Sequence, residues 1–188
     1  TNAETVLLVI ALLAYGCPVQ AIVKALGFDE RTVRDWWQRA GQVCQQMHDH
    51  MVGRAQLDLQ QVQADEIKVK TQRGTFWMAL ALRVPTRLWL GGAISAKRDL
   101  VLIQTLAEQV RTMALCRPLL LAVDGLVSYV TAFRNAFRTA LPGRRGDRGR
   151  PQLIAWPNIA IVQVVKQRGA DQLHIDRRIV QGSQAMIA

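Results

Sequence analysis

The sequence is poor in the residues that would staple or anchor a small fold. It has only three cysteines, Cys17, Cys44 and Cys116, widely spaced and without a CxxC pair. That excludes a disulfide framework or a zinc knuckle and predicts reduced thiols in a cytoplasmic protein. Glutamate is scarcer than the length suggests: Glu4, Glu30, Glu66 and Glu108 are the four, with none in the last eighty residues. The longest uncharged stretch, residues 5–23, is broken by Gly16, Pro18 and Gln20. Glu4 stands where a signal peptide would carry Lys or Arg. Both features argue against a membrane span or a leader. No internal repeat or low-complexity tract is present.

What the chain does have is apolar content and positive charge. Half of its 188 residues are hydrophobic, enough to bury a real core and to exclude intrinsic disorder. The formal net charge of +10 points to a polyanionic partner. Much of it lies between Arg134 and Arg168, where eight Lys and Arg face Asp147 alone. Arg144, Arg145, Arg148 and Arg150 are the candidates there for phosphate contacts, which are independent of base sequence and sensitive to salt. The opening at Thr1 without an initiator Met, and the end at Ala188 after an apolar stretch, predict a fragment truncated at its C-terminus.

The first fifty residues carry helical periodicity. Val6, Leu7, Ile10, Leu13 and Ala14 mark one helix; Val19, Ile22, Val23 and Leu26 mark a second, which Gly27 can end. Asp29 can cap a third, with Val33, Trp37 and Ala40 inward and Arg31, Thr32, Arg34, Gln38 and Arg39 outward. Two helices joined by a glycine turn, the second basic on its outer side, form the helix-turn-helix pattern, and those five outward residues are candidate DNA contacts. An ordinary solvated helix face is the competing reading. His48 and His50, two apart on a helix, point about 200° apart and cannot share an ion.

Residues 51–63 read as a Gln-rich connector, dividing an N-terminal domain of residues 1–50 from a second of residues 64–188. From Asp65 the periodicity changes to two. Asp65, Ile67 and Val69 fall on one strand face, the apolar one, with Glu66, Lys68 and Lys70 on the other. A turn at residues 71–74 leads to a strand at 76–84, and another at 85–87 to a strand at 88–95. Asp99 can cap a helix to about residue 115. Leu119, Leu120, Leu121, Ala122 and Val123 form a continuous apolar run, expected of a strand buried on both faces and ending at Asp124-Gly125. A helix at 127–139, an approach segment at 153–156, a strand at 159–165, and a final helix at 173–187 complete the expectation. The result is a mixed α/β chain, helical first and then built on a mixed sheet flanked by helices. Meander, helix, strand ending in Asp, helix, strand, helix is the order of a ribonuclease H-like domain.

Asp65 and Asp124 stand out within that order. A half-buried carboxylate needs a cation or a donor, and two brought together require a divalent ion. Hard oxygen ligands suit Mg²⁺ or Mn²⁺, and a pair of such ions ~4 Å apart serves phosphodiester chemistry. Glu66 is the neighbouring rival, and strand parity favours Asp65. The ordinary alternative for Asp124 is a strand-end Asp-Gly turn.

The segments YGCPVQAIVKALGFDERTVRDWW, QADEIKVK followed by GTFWMALAL, and LLLAVDGLVSYVTAFR together resemble the DDE transposases of bacterial insertion sequences, over most of the chain. The resemblance implies that Asp65 and Asp124 are the first two catalytic acids, binding two Mg²⁺ (or Mn²⁺). It also implies a homo-oligomer acting on double-stranded DNA at the element's ends. The family's third acid is a Glu on the last helix. Here no Glu follows Glu108, and after Asp124 only Asp147, Asp171 and Asp176 remain; Asp176, in a helical context, is the candidate. That departure leaves open a second reading, a decayed remnant that binds DNA without cutting it. A helix-turn-helix regulator is a third.

Overall fold

A computed structural model describes residues 1–72, 74–141, 151–168 and 173–184. The chain divides into two compact units, Thr1–Val52 and Gly53–Ala188.

The first unit is three helices: α1 (Ala3–Ala14), α2 (Val19–Leu26) and α3 (Glu30–His48). Their ends are written locally. The Asn2 side chain accepts the Glu4 N–H, and the Asp29 carboxylate accepts the Arg31 N–H at 2.7 Å. Gly27 ends α2 in the left-handed conformation, φ 71°, where a side chain would be strained. Val9, Ile22 and Val33 form a small core, with Leu12, Val23, Phe28 and Trp36 packed around it. Trp36, edge-on to Phe28 at 5.1 Å, takes the inward place expected of Trp37, which is 45% exposed. Positions three and four beyond Val33 flank the same helical stripe, and Phe28 covers the nearer one. A π-helical turn, Asp49–Gly53, follows α3.

Among the described residues, the second unit is a six-stranded mixed sheet with two helices. Its strands are β1 (Gln61–Thr71), β2 (Gly74–Arg83), β3 (Leu88–Ser95), β4 (Leu119–Asp124), β7 (Ile159–Arg168) and β8 (Leu173–Gln181). The helices are α4 (Leu100–Met113) and α5 (Val127–Ala136), and two short strands, β5 (Arg138–Ala140) and β6 (Leu153–Ala155), pair separately. The sheet order is β3-β2-β1-β4-β7-β8. The β1–β2–β3 meander and the β7–β8 hairpin are antiparallel, whereas β4 runs parallel to both β1 and β7. Parallel neighbours cannot be joined by a tight turn, so long crossovers bring β4 beside β1 and β7 beside β4.

Helix α4 covers one face of the sheet. Gly91 lies so close to Gln109 that a Cβ would fall 2.5 Å from its Oε1. Gly91 is in register with Ala81, and Ala81 with Ala64. Even-numbered residues of β1 therefore face the helices. Under them lie Ile103, Leu106, Val110, Phe133, Ala79, Ala81, Leu121 and Ile161, all buried. An aromatic file, Tyr129–Phe133–Phe137–Trp156, runs along the base of α5.

Four expectations are corrected here. β1 begins at Gln61, inside the anticipated connector. Its inward face is the opposite one: Val62 and Ala64 are buried, while Ile67 and Val69 are 46% and 37% exposed. β4 is buried on alternate residues, with Leu120 and Ala122 only half-buried, because helices cover a single face. The expected C-terminal helix is instead strand β8, since β7 supplies a hydrogen-bonding edge that overrides a helical reading of Ile175, Ile179 and Val180. Among the described residues, no helix is long and apolar enough to cross a membrane.

Candidate metal centre

The last register pair between β1 and β4 is Ala64↔Val123. Asp65 and Asp124 are the next residues on these two strands, where the parallel neighbours part. Both are partly exposed, and they line a cavity of about 200 Å³ with Gln63, Ala64, Ala122, Val123 and Val164. The Asp65 carboxylate folds back to accept the Glu66 N–H at 2.8 Å, which fixes its direction. Gln163 of β7 donates to the Asp124 carbonyl at 3.4 Å. Gly125 follows, packed against Val165, where a Cβ would meet Cγ2 at 3.1 Å.

Glu66 joins them. One oxygen from each of Asp65, Glu66 and Asp124 lies within 4.8 Å of the others. Octahedral Mg²⁺ with bonds of ~2.1 Å separates its ligands by ~3.0 to 4.2 Å, so small side-chain rotations would bring this set into range. The Glu66 side chain is only 2% exposed, because it projects beneath the helices. Its Oε1 accepts from Arg98 Nε at 2.6 Å and also from Nη2, while its Oε2 is buried with no hydrogen-bond partner. Arg98 Nη2 reaches Asp124 Oδ2 as well, at 3.3 Å. The guanidinium lies 5.0 Å from the Trp77 ring centre, and Lys68 Nζ lies 5.7 Å from it.

Tyr129 of α5 faces the cluster from below. Its hydroxyl is buried without a partner in good geometry. Burial first, then the Glu66 carboxylate, then Asp65 and Asp124, push its ionisation well above the ordinary phenol range. The hydroxyl stays protonated and is a donor held in reserve. Three hard carboxylates, one of them with a buried, unpartnered oxygen, fit Mg²⁺ or Mn²⁺ rather than a softer ion.

Asp176 is placed apart from this group. It lies on β8, two strands from β4, in register with Val165, while Asp124 is in register with Val164. Alternation thus sends Asp176 to the other face from the position opposite Asp124. Its carboxylate accepts from Arg178 Nε at 2.6 Å. Asp147 and Asp171 lie outside the described residues, as do Arg144, Arg145, Arg148 and Arg150.

On α3, Arg31, Arg34 and Gln38 line a shallow depression with Asp29, Glu30 and Asp35. Thr32 is half-buried. Arg34 pairs with Glu30 at 2.6 Å and Arg39 with Asp35 at 2.9 Å. Glu30, accepting first from Arg34 and then from Gln20, titrates below the usual carboxylate range. The exposed pairs leave both guanidiniums free to exchange partners at small cost. Elsewhere Arg134, from the basic stretch, donates to the Val180 carbonyl at 2.7 Å, tying α5 to β8.

The sequence marks Glu66 as the rival of Asp65 on the opposite strand face, and does not single out Arg98 at all. The signal for Glu66 was the small, apolar pair Val62 and Ala64 at the same parity. For Arg98, in a bend far from the acids in sequence, no local signal exists. No protein-family model and no curated protein sequence matches the chain.

Proposed function

We propose that this chain is a DNA-cutting and strand-joining enzyme of the DDE transposase type. In this reading the first unit is a helix-turn-helix that holds DNA, and the second is a ribonuclease H-like catalytic unit. The observation that carries it is the meeting of Asp65 and Asp124 at the ends of adjacent parallel strands, with Glu66 beside them. Asp65 and Asp124 would hold one or two Mg²⁺ or Mn²⁺, and Glu66 is the nearby third carboxylate in place of Asp176. When bound, such ions supply activation of the attacking oxygen and stabilisation of the leaving one. The residues' own part is to hold the acids in place: the Glu66 N–H sets the direction of the Asp65 carboxylate, and the Gln163 amide on the Asp124 carbonyl anchors the backbone at the end of β4.

Arg31, Thr32, Arg34, Gln38 and Arg39 would face the major groove, and the basic stretch that includes Arg144, Arg145, Arg148 and Arg150 would take phosphates. Double-stranded DNA is the partner, the protein acts as a homo-oligomer on paired ends, and its place is the cytoplasm. A second reading, a DNA-binding remnant without strand transfer, is favoured by the position of Asp176 on β8 and its pairing with Arg178.

Nicking of supercoiled plasmid in Mg²⁺ or Mn²⁺ separates the two readings. The enzyme reading expects nicking by the wild type and its loss in Asp65→Asn and Asp124→Asn, with DNA binding retained. It also expects a marked loss in Glu66→Gln and little change in Asp176→Asn. Salt-sensitive DNA binding with no nicking in either ion would sink it in favour of the remnant.

A further inference from the structure

The acid cluster carries its own cation. Arg98 sits between two fixed points: the Ser95 hydroxyl accepting the Lys97 N–H at 3.1 Å, and Asp99 capping α4 through the Leu102 N–H. Its backbone is therefore set, and only the long side chain can move. That side chain is 36% exposed, and its head stacks on Trp77 while its N–H groups take Glu66 and Asp124 oxygens. Those two carboxylates belong to the set that a divalent ion would need.

Arg98 nevertheless leaves the cluster incompletely satisfied. Three carboxylates face one guanidinium. Glu66 Oε2, buried, has no donor in good hydrogen-bonding geometry, although the buried Tyr129 hydroxyl faces Glu66 closely enough to interact with it. An ion pair whose function was purely structural would satisfy its buried oxygens. A guanidinium that is one-third exposed and stacked on an aromatic face can instead withdraw toward water without losing its apolar support.

We propose that Arg98 is a displaceable counter-cation, holding Glu66 and Asp124 in the metal-free protein and releasing them when a divalent cation enters. The proposal rests on the metal-centre reading above. Arg98 and the ion compete for the same carboxylates and repel each other, so removing the guanidinium charge tightens metal binding. For a +2 and a +1 charge ~5 Å apart, the repulsion weakens binding by at least about tenfold even at the dielectric of water.

Mn²⁺ binding to the full chain, read from the electron paramagnetic resonance of free Mn²⁺, tests this without any substrate. Arg98→Gln should bind Mn²⁺ at least about tenfold tighter than the wild type, and Asp124→Asn should lose binding. Separately, Mg²⁺ should change the tryptophan emission of the wild type saturably as Arg98 leaves Trp77, and Trp77→Phe should abolish the change. If the wild type binds Mn²⁺ and Arg98→Gln binds it equally or more weakly, the displacement idea is overturned while the metal centre stands. If neither binds above the Asp124→Asn background, both fall together. Should Arg98→Gln fail to fold by circular dichroism, the wild-type emission decides: a saturable change lost in Trp77→Phe supports displacement, and an unchanged emission refutes it.

Discussion

The Glu66–Arg98 pair permits a prediction about stability that is independent of catalysis. In EDTA, Arg98→Gln strips the counter-charge from a carboxylate that is almost wholly enclosed. Two unit charges ~4 Å apart attract by about 1 kcal/mol in water and about 4 kcal/mol at an effective dielectric of 20. Breaking a fully buried pair costs ~3–5 kcal/mol. Arg98 is one-third exposed, so the expected loss is smaller, ~2–3 kcal/mol. Glu66→Gln behaves differently. It forfeits the attraction to Arg98 but also removes the repulsion from Asp65 and Asp124, giving a net change of ~0–1 kcal/mol. The double variant should sit near ~1 kcal/mol below wild type, for a coupling of ~1–3 kcal/mol. Urea denaturation of the four proteins in EDTA, followed by circular dichroism, measures all three differences. Effects that simply add, with coupling under ~0.5 kcal/mol, would refute the claim that Arg98 neutralises Glu66.

Tyr129 and the first unit give two further tests. The Tyr129 hydroxyl has its pKa raised in the folded protein above its unfolded value of ~10. Its contribution to stability is therefore complete below about pH 10 and is lost as pH rises beyond it. In Tyr15→Phe, which leaves Tyr129 as the remaining phenol, ultraviolet titration should show no tyrosinate until alkaline unfolding sets in. A phenolate appearing in the folded state near pH 10 would show that the hydroxyl is not enclosed by the acids. At the start of α3, Asp29→Ala should cost ~1 kcal/mol by freeing the Arg31 N–H, whereas Asp29→Asn should cost only a few tenths. Equal losses in thermal melts of the two variants would exclude capping as the cause.

The parts of the second unit that sequence makes legible are those governed by local chemistry. The turns around Gly74 and Arg87, the Asp99 cap and the apolar run into Asp124 all signal their elements within a few residues. Asp65 and Asp124 are legible for the same reason: each is an acid at a strand position where solvent alone cannot be assumed. What is not legible depends on partners remote in sequence. The inward face of β1 is set by α4, and nothing in the strand itself says on which side that helix packs. Ile67 and Val69 mislead because β1 continues past the end of β4, where its odd-numbered side is open. Residues 173–181 read equally well at either period until β7 supplies an edge. Arg98 lies thirty-two residues from Glu66, and only the assembled meander brings them together.

The position of the acids at the β1–β4 junction also has a consequence in time. Asp65 belongs to a meander that can pair as soon as it is made, but β4 is encoded 59 residues beyond its partners, as Gln61↔Leu120 shows. At ~5–20 residues per second, a growing chain carries Asp65 for ~3–12 s before Asp124 exists. Parallel pairing then awaits closure of that long loop, and the sheet must accept β4 between two neighbours. A chain that ends before β4 thus cannot assemble the pair of acids, however well its first strands fold. The centre therefore waits on the arrival of β4, not on the folding of the meander.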